Sequence, residues 1–220
     1  MASNSHEDEI FKAKRKPKGP IKFKLQLNDE QKHAKQVILD NPVTVLKGMA
    51  GSGKTLIATQ VGLDLLFRKE IDKIIITRPT VSKEDIGFLP GDLQAKMDPW
   101  LAPIYHNLHM LYSKDKIQKL LDDNTIEIVP FAFLRGRTFV NSFVIVDEAQ
   151  QMETSEILTI MSRIGKNTKM VIAGDRMQCD IKNSGFGEVF DLFSDDDSSQ
   201  NGIVTFKFGE IDIVAKERGY

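Results

Sequence analysis

The octapeptide Gly48-Met49-Ala50-Gly51-Ser52-Gly53-Lys54-Thr55 fits the template G-x-x-x-x-G-K-[ST] at every fixed position. A loop of this kind belongs between a strand and a helix, because its backbone N–H groups converge on an anion held at the positive end of the helix. The flanks meet that demand: residues 42–46 (Pro-Val-Thr-Val-Leu) read as a short β-branched strand, and residues 56–66 as an apolar helix. Gly48, Gly51 and Gly53 are expected to keep Cβ atoms out of the turn and away from the ligand, with Ser52 in the same nucleotide-binding loop. Lys54 is expected to reach the β and γ phosphates, and the Thr55 hydroxyl to ligate Mg2+.

A nucleotide loop needs a partner that manages the metal and the water. Residues 143–146 (Phe-Val-Ile-Val) form an apolar strand ended by Asp147 and Glu148, with Asp147 suited to the Mg2+ shell and Glu148 to polarising the attacking water. Three more strands follow from apolar runs at residues 73–77, 125–129 and 169–173, and another near residues 203–208. Helices are expected over residues 27–39, opened by Asn28 as N-cap and stopped by Asn41-Pro42, and through Ile157, Leu158, Ile160 and Met161. Alternating strands and helices predict an α/β fold with a single core and a mostly parallel sheet flanked by helices.

The length of 220 residues suits one sizeable core with a tail, giving a flexible basic arm over residues 1–24 and an ATPase-type domain over residues 25–220. The arm carries seven basic residues between positions 12 and 24, Lys14, Arg15 and Lys16 among them, with two prolines and no acid. It is expected to stay extended and either to track nucleic-acid phosphates in a salt-dependent way or to serve as a solvated tail. An ordered insertion is expected at about residues 82–112, ending in a helix; its Trp100 either stacks a base or packs the insertion onto the core. His106 and His109 have no Cys or carboxylate cluster beside them in sequence and are read as structural. The single Cys179 allows no internal disulfide, no window approaches the roughly 18 apolar residues of a membrane span, and residues 1–9 lack the apolar centre of an export signal. A cytoplasmic protein without a membrane partner is expected.

Several segments resemble superfamily 1 helicase elements. Leu27-Asn28-x-x-Gln31-x-x-Ala34 looks like the motif whose glutamine bonds adenine, Arg78-Pro79-Thr80 like the segment that touches the nucleic-acid backbone, and Gly174-Asp175-x-x-Gln178 like the γ-phosphate sensor. A structural salt bridge is the alternative for Arg78. In Arg135-Gly136-Arg137 either arginine could face nucleic acid or the γ phosphate of a neighbouring subunit.

Taken together with Gly87-Phe88-Leu89-Pro90-Gly91-Asp92 and Leu134-Arg135-Gly136-Arg137-Thr138, these pieces resemble the PhoH-like family of bacteria and phages over at least residues 27–187. The resemblance implies a RecA-like P-loop NTPase fold, ATP with Mg2+ as cofactors, RNA or single-stranded DNA as partner, and homo-oligomeric rings such as a hexamer. For a phage-encoded member the compartment would be the host cytoplasm. It also implies catalytic roles for Lys54, Asp147, Glu148, Gln178 and Arg137, nucleotide contact by Gln31, and nucleic-acid contact by Arg78, Thr80, Trp100 and Arg135. Two departures stand out. Relatives usually end in a segment like D-V-V-R-H-x-I-V, whereas this chain has Ala215 where the arginine would stand, and its length leaves no room for the ribonuclease domain of some relatives. An RNA- or DNA-coupled, helicase-like ATPase is the leading expectation, with an ATP-switched binding module as the alternative and a small-molecule kinase as the third.

Overall fold

The computed structural model describes residue 23 and residues 25–79, 93–194 and 203–207. The basic arm with Lys14, Arg15 and Lys16, the insertion's first part with Thr80, residues 195–202, and residues 208–220 with Ala215 lie outside the described residues.

In chain order the elements are α1 (Asp29–Asp40), β1 (Val43–Lys47), α2 (Lys54–Phe67), β2 (Lys73–Arg78), α3 (Leu93–Leu111), α4 (Lys114–Asp122), β3 (Ile126–Pro130), β4 (Ser142–Val146), α5 (Thr154–Met161), β5 (Lys169–Gly174), α6 (Phe186–Leu192) and β6 (Ile203–Lys207). The strands form one six-stranded sheet in the order β3-β2-β4-β5-β1-β6, and every pairing is parallel.

Alternate residues of a strand point to opposite faces, and here both faces are buried. Ile74, Ile76, Phe143, Ile145, Val171 and Ala173 pack on one side with Ala34 and Ile38 of α1, Ile57 and Val61 of α2, and Leu108 of α3. Ile75, Val144, Val146, Met170 and Ile172 pack on the other with Ile157 and Ile160 of α5 and with Phe186 and Val189 of α6. This double cover explains the unbroken apolar runs in the sequence, and gives α2 burial on nearly every side, including its polar Gln60 and Asp64.

Two helices depart from the sequence reading. Gly185 and Gly187 favour a turn, yet α6 starts at Phe186, since Phe186, Val189 and Phe190 at helical spacing fill the second core. Between the insertion and β3, α4 forms behind Ser113 and buries Ile117.

Parallel register brings the strand ends together. Lys47 pairs with Gly174, Val146 with Ile172, and Thr77 with Val146, so the residues that follow β1, β2, β4 and β5 share one edge of the sheet. In open parallel sheets ligands bind at that carboxyl edge.

Candidate nucleotide and nucleic-acid site

The phosphate loop leaves β1 at Lys47 and enters α2 at Lys54. Gly51 (φ 80°) and Gly53 (φ 87°) adopt left-handed conformations that favour glycine, whereas Gly48 is not among the positive-φ residues. Gly48 contributes its carbonyl instead. The Lys54 ammonium donates to Gly48 O and Met49 O, both at 2.7 Å, which curls the side chain over the mouth of the loop. Ser52 is 2 % exposed, and its Oγ has no hydrogen-bond partner among the described residues. A buried, unpaired hydroxyl in a glycine-rich loop at a helix start suits an anion.

At the next strand ends, Thr55 Oγ1 donates to Asp147 Oδ1 at 2.5 Å, joining the loop to the acid-ended strand across 92 positions of sequence. The Asp147 backbone N–H donates to Thr77 O (2.8 Å), fixing the carboxylate over β2 and β4. Burial pushes the Asp147 carboxyl above the usual carboxylate range; Arg78 pulls it back, Glu148 pushes it further up, and the Thr55 hydroxyl lowers it. A hydroxyl and a desolvated carboxylate in contact are hard oxygen donors, and the set fits Mg2+.

Glu148 has φ 55° and ψ 38°. Of the other non-glycine residues with positive φ, three are asparagines, which tolerate this region, so a glutamate here carries strain of about 1 kcal/mol that its contacts must hold. They hold it from two sides. Arg78 Nη2 lies 3.0 Å from Glu148 Oε1, and the Gln150 amide donates to Glu148 Oε2 at 2.5 Å. Gln150 Oε1 accepts from Asp175 N–H (3.0 Å), and the Asp175 carboxylate accepts from Ala50 N–H of the phosphate loop (2.8 Å) and from Met177 N–H (2.9 Å). A closed chain of hydrogen bonds thus runs from the phosphate loop to Arg78. Neither Gln150 nor Asp175 was singled out for a role by sequence; burial of a Gln (1 % exposed) and an Asp (6 %) just past strand ends is the signal, and sequence alone does not give burial.

Gln31, 2 % exposed, is the third residue of a capping box: Asn28 Oδ1 accepts from Gln31 N–H (2.7 Å) and Gln31 Oε1 from Asn28 N–H (3.2 Å). Its Nε2 lies where a Cβ on Gly53 would come within 2.9 Å, so it abuts the phosphate loop. Gln178 follows β5 and is exposed; its carbonyl accepts from the Gln151 side chain (3.0 Å). Trp100 accepts from Arg78 Nη1 at its carbonyl (3.1 Å) and donates through Nε1 to Pro79 O (3.4 Å), which ties α3 to the end of β2. Arg135 pairs with Glu156 (3.0 Å) and lies over the Phe131 ring.

Arg137 is elsewhere. It grips Glu127 with both Nη atoms, at 2.6 and 2.9 Å, and Glu127 pairs in register with Ile75, at the level of Val43 rather than Lys47. At roughly 3.3 Å per residue and 4.8 Å per strand, that grip is on the order of 20 Å from the chain's own phosphate loop. An arginine held there does not reach the chain's own loop; the role expected for it is at nucleic acid or at the γ phosphate of a neighbouring subunit.

The parallel sheet, the loop cradle and the Thr55–Asp147 contact define a RecA-like P-loop NTPase fold. A family profile described as PhoH-like protein matches residues 25–218, and the chain belongs to the PhoH-like family. It is 36 % identical over 196 residues to Protein PhoH of Escherichia coli K12, covering 86 % of this chain and 54 % of that protein. To the PhoH-like protein of Synechocystis sp. PCC 6803 it is 42 % identical over 149 residues, 67 % of this chain and 45 % of that one. The chain thus spans about half the length of these relatives. Among solved structures it is similar to the large terminase of a thermophilic bacteriophage (TM-score 0.49, 12 % identity, 89 % of this chain and 50 % of that). It is also similar to the Sulfolobus solfataricus SWI2/SNF2 ATPase core in complex with dsDNA (TM-score 0.44, 13 % identity, 87 % and 47 %). Among the described residues no helix is long and apolar enough to cross a membrane.

Proposed function

We propose that this protein is an Mg2+-dependent ATPase whose turnover is coupled to RNA or single-stranded DNA. The observation that carries the reading is the Thr55–Asp147 contact, which assembles a hydroxyl and a buried carboxylate beside a phosphate loop. In this reading Lys54 leaves its loop carbonyls for the β and γ phosphates, with Gly48, Gly51, Ser52 and Gly53 around them. Thr55 and Asp147 would hold Mg2+, which when bound offsets charge on the phosphate oxygens. Glu148 accepts the proton of the attacking water, and Gln31 lies where it can read the base.

Gln178, exposed beside Asp175, is assigned to sensing the γ phosphate. Nucleic acid is assigned to Arg78, Thr80, Trp100 and Arg135 and to the arm with Lys14, Arg15 and Lys16. With Arg137 distant from its own loop, a contribution from that arginine to the transition state comes from a second copy, which suits a ring.

The test is steady-state ATP hydrolysis with and without single-stranded RNA and DNA, with Lys54→Ala as the blank. Stimulation by one polymer is expected; turnover indifferent to both would leave the ATP-switched binding module as the better reading. The strain and double tethering of Glu148 favour a site that rests until engaged, which either reading uses.

A further inference from the structure

The ionic group at the end of β2 has one guanidinium for two carboxylates. Arg78, with a side chain 15 % exposed, has five N–H groups; Nε faces Asp147 Oδ2 at 3.3 Å, Nη2 faces Glu148 Oε1 at 3.0 Å, and Nη1 donates to Trp100 O at 3.1 Å. The two acids differ in access. Asp147 has a side chain 9 % exposed and is shut in, while that of Glu148 is 37 % exposed and opens toward solvent.

An anion arriving at this edge therefore meets the Arg78–Glu148 half of the cluster. It competes with Glu148 for the guanidinium and leaves the Asp147 contact in place. A phosphodiester suits the position, because the planar fork of arginine matches two phosphate oxygens and its charge does not titrate away. Trp100 stands on the same strand end, anchored by Nε1 to Pro79 O, and gives a neighbouring base an aromatic surface.

Resting on the nucleic-acid-coupled reading above, we infer that Arg78 is a positioning residue shared between two anions. It restrains Glu148 while no strand is bound, and it passes to a phosphodiester of a single strand, releasing Glu148 to act on water. The restraint reaches the phosphate loop as well, since Glu148 is bonded to Gln150, Gln150 to Asp175, and Asp175 to Ala50. Linkage makes the exchange reciprocal: removing the charge of Glu148 must strengthen the strand's hold on Arg78.

The experiment measures affinity, with neither nucleotide nor Mg2+ present. Fluorescence anisotropy of labelled oligo(U) and oligo(dT) is recorded with the full chain as wild type, Glu148→Gln, Arg78→Ala and the double variant, over a salt series. Glu148→Gln is expected to tighten binding about fivefold, the scale of one net hydrogen bond. Arg78→Ala is expected to weaken binding and lower the salt slope by about one. In the double variant the gain from Glu148→Gln should vanish, which separates loss of a specific partner from a general change in charge.

Unchanged affinity on Glu148→Gln, or the same gain without Arg78, overturns the sharing while leaving nucleic-acid binding intact. If wild type binds neither polymer, the nucleic-acid reading fails first and the inference with it. Should Arg78→Ala lose its fold by circular dichroism, Arg78→Lys replaces it: a point charge without the fork is expected to keep less than half of the gain, and a full gain overturns the inference.

Discussion

Two charge clusters sit on the same sheet and invert each other. At the carboxyl edge one cation, Arg78, lies between two acids, Asp147 and Glu148; lower on the β3 side one acid, Glu127, lies between two cations, Arg137 and Lys73. The lower cluster is satisfied. Hydrogen bonds from Arg137 hold the Glu127 carboxyl down to about 2, with Lys73 adding to them against the cost of burial. The upper cluster is not: burial leaves the Asp147 carboxyl above its usual range despite Arg78. A matched cluster stabilises the sheet, and an acid-rich one stores demand for a further cation.

The contrast can be broken at either end. The largest expected effect is on chemistry: Glu148→Gln should bind nucleotide but lower hydrolysis by about a hundred- to a thousandfold, within the range for loss of a general base. Single-turnover rates would measure it, and normal turnover would move the base elsewhere.

Next is Glu127→Gln, expected to cost about 1–3 kcal/mol in urea unfolding at pH 7, since it leaves Arg137 and Lys73 without their carboxylate. Because the folded value of Glu127 lies below its ordinary 4.5, its contribution is complete above that value and is lost as pH falls toward about 2. The gap between wild type and variant should close over that interval, and a gap independent of pH would sink the assignment.

The opposite sign is expected for Asp147→Asn in metal-free protein, a gain of about 1 kcal/mol as a disfavoured buried charge is removed, paired with loss of Mg2+-dependent nucleotide affinity. A destabilised variant would mean that Arg78 already compensates Asp147 in full. Smallest is Arg135→Ala, whose Glu156 partnership is largely solvent-exposed and should matter by under about 0.5 kcal/mol to stability. A loss of strand affinity in that variant would then report contact rather than fold.

What the sequence made legible follows from range. The loop from Gly48 to Thr55, the apolar runs and the acids after β4 are local patterns, and they emerge as the strand–loop–helix and strand ends described. The roles of Arg78, Gln150 and Asp175 depend on β4 and β5 lying between β2 and β1, an order no local pattern encodes. Arg137 shows the same limit from the other side. Its sequence context points to phosphate on nucleic acid or a neighbouring subunit, while its partner within the chain, Glu127, lies ten positions away on a strand whose neighbours only the fold supplies.

The abutment of Gln31 on Gly53 has a consequence for how the molecule opens. The start of α1 is locked by its capping box and lodged against the phosphate loop, so neither segment can fray without disturbing the other. In hydrogen exchange they should behave as one opening unit, with the Gln31 amide slowing when a ligand occupies the loop even though that amide faces Asn28.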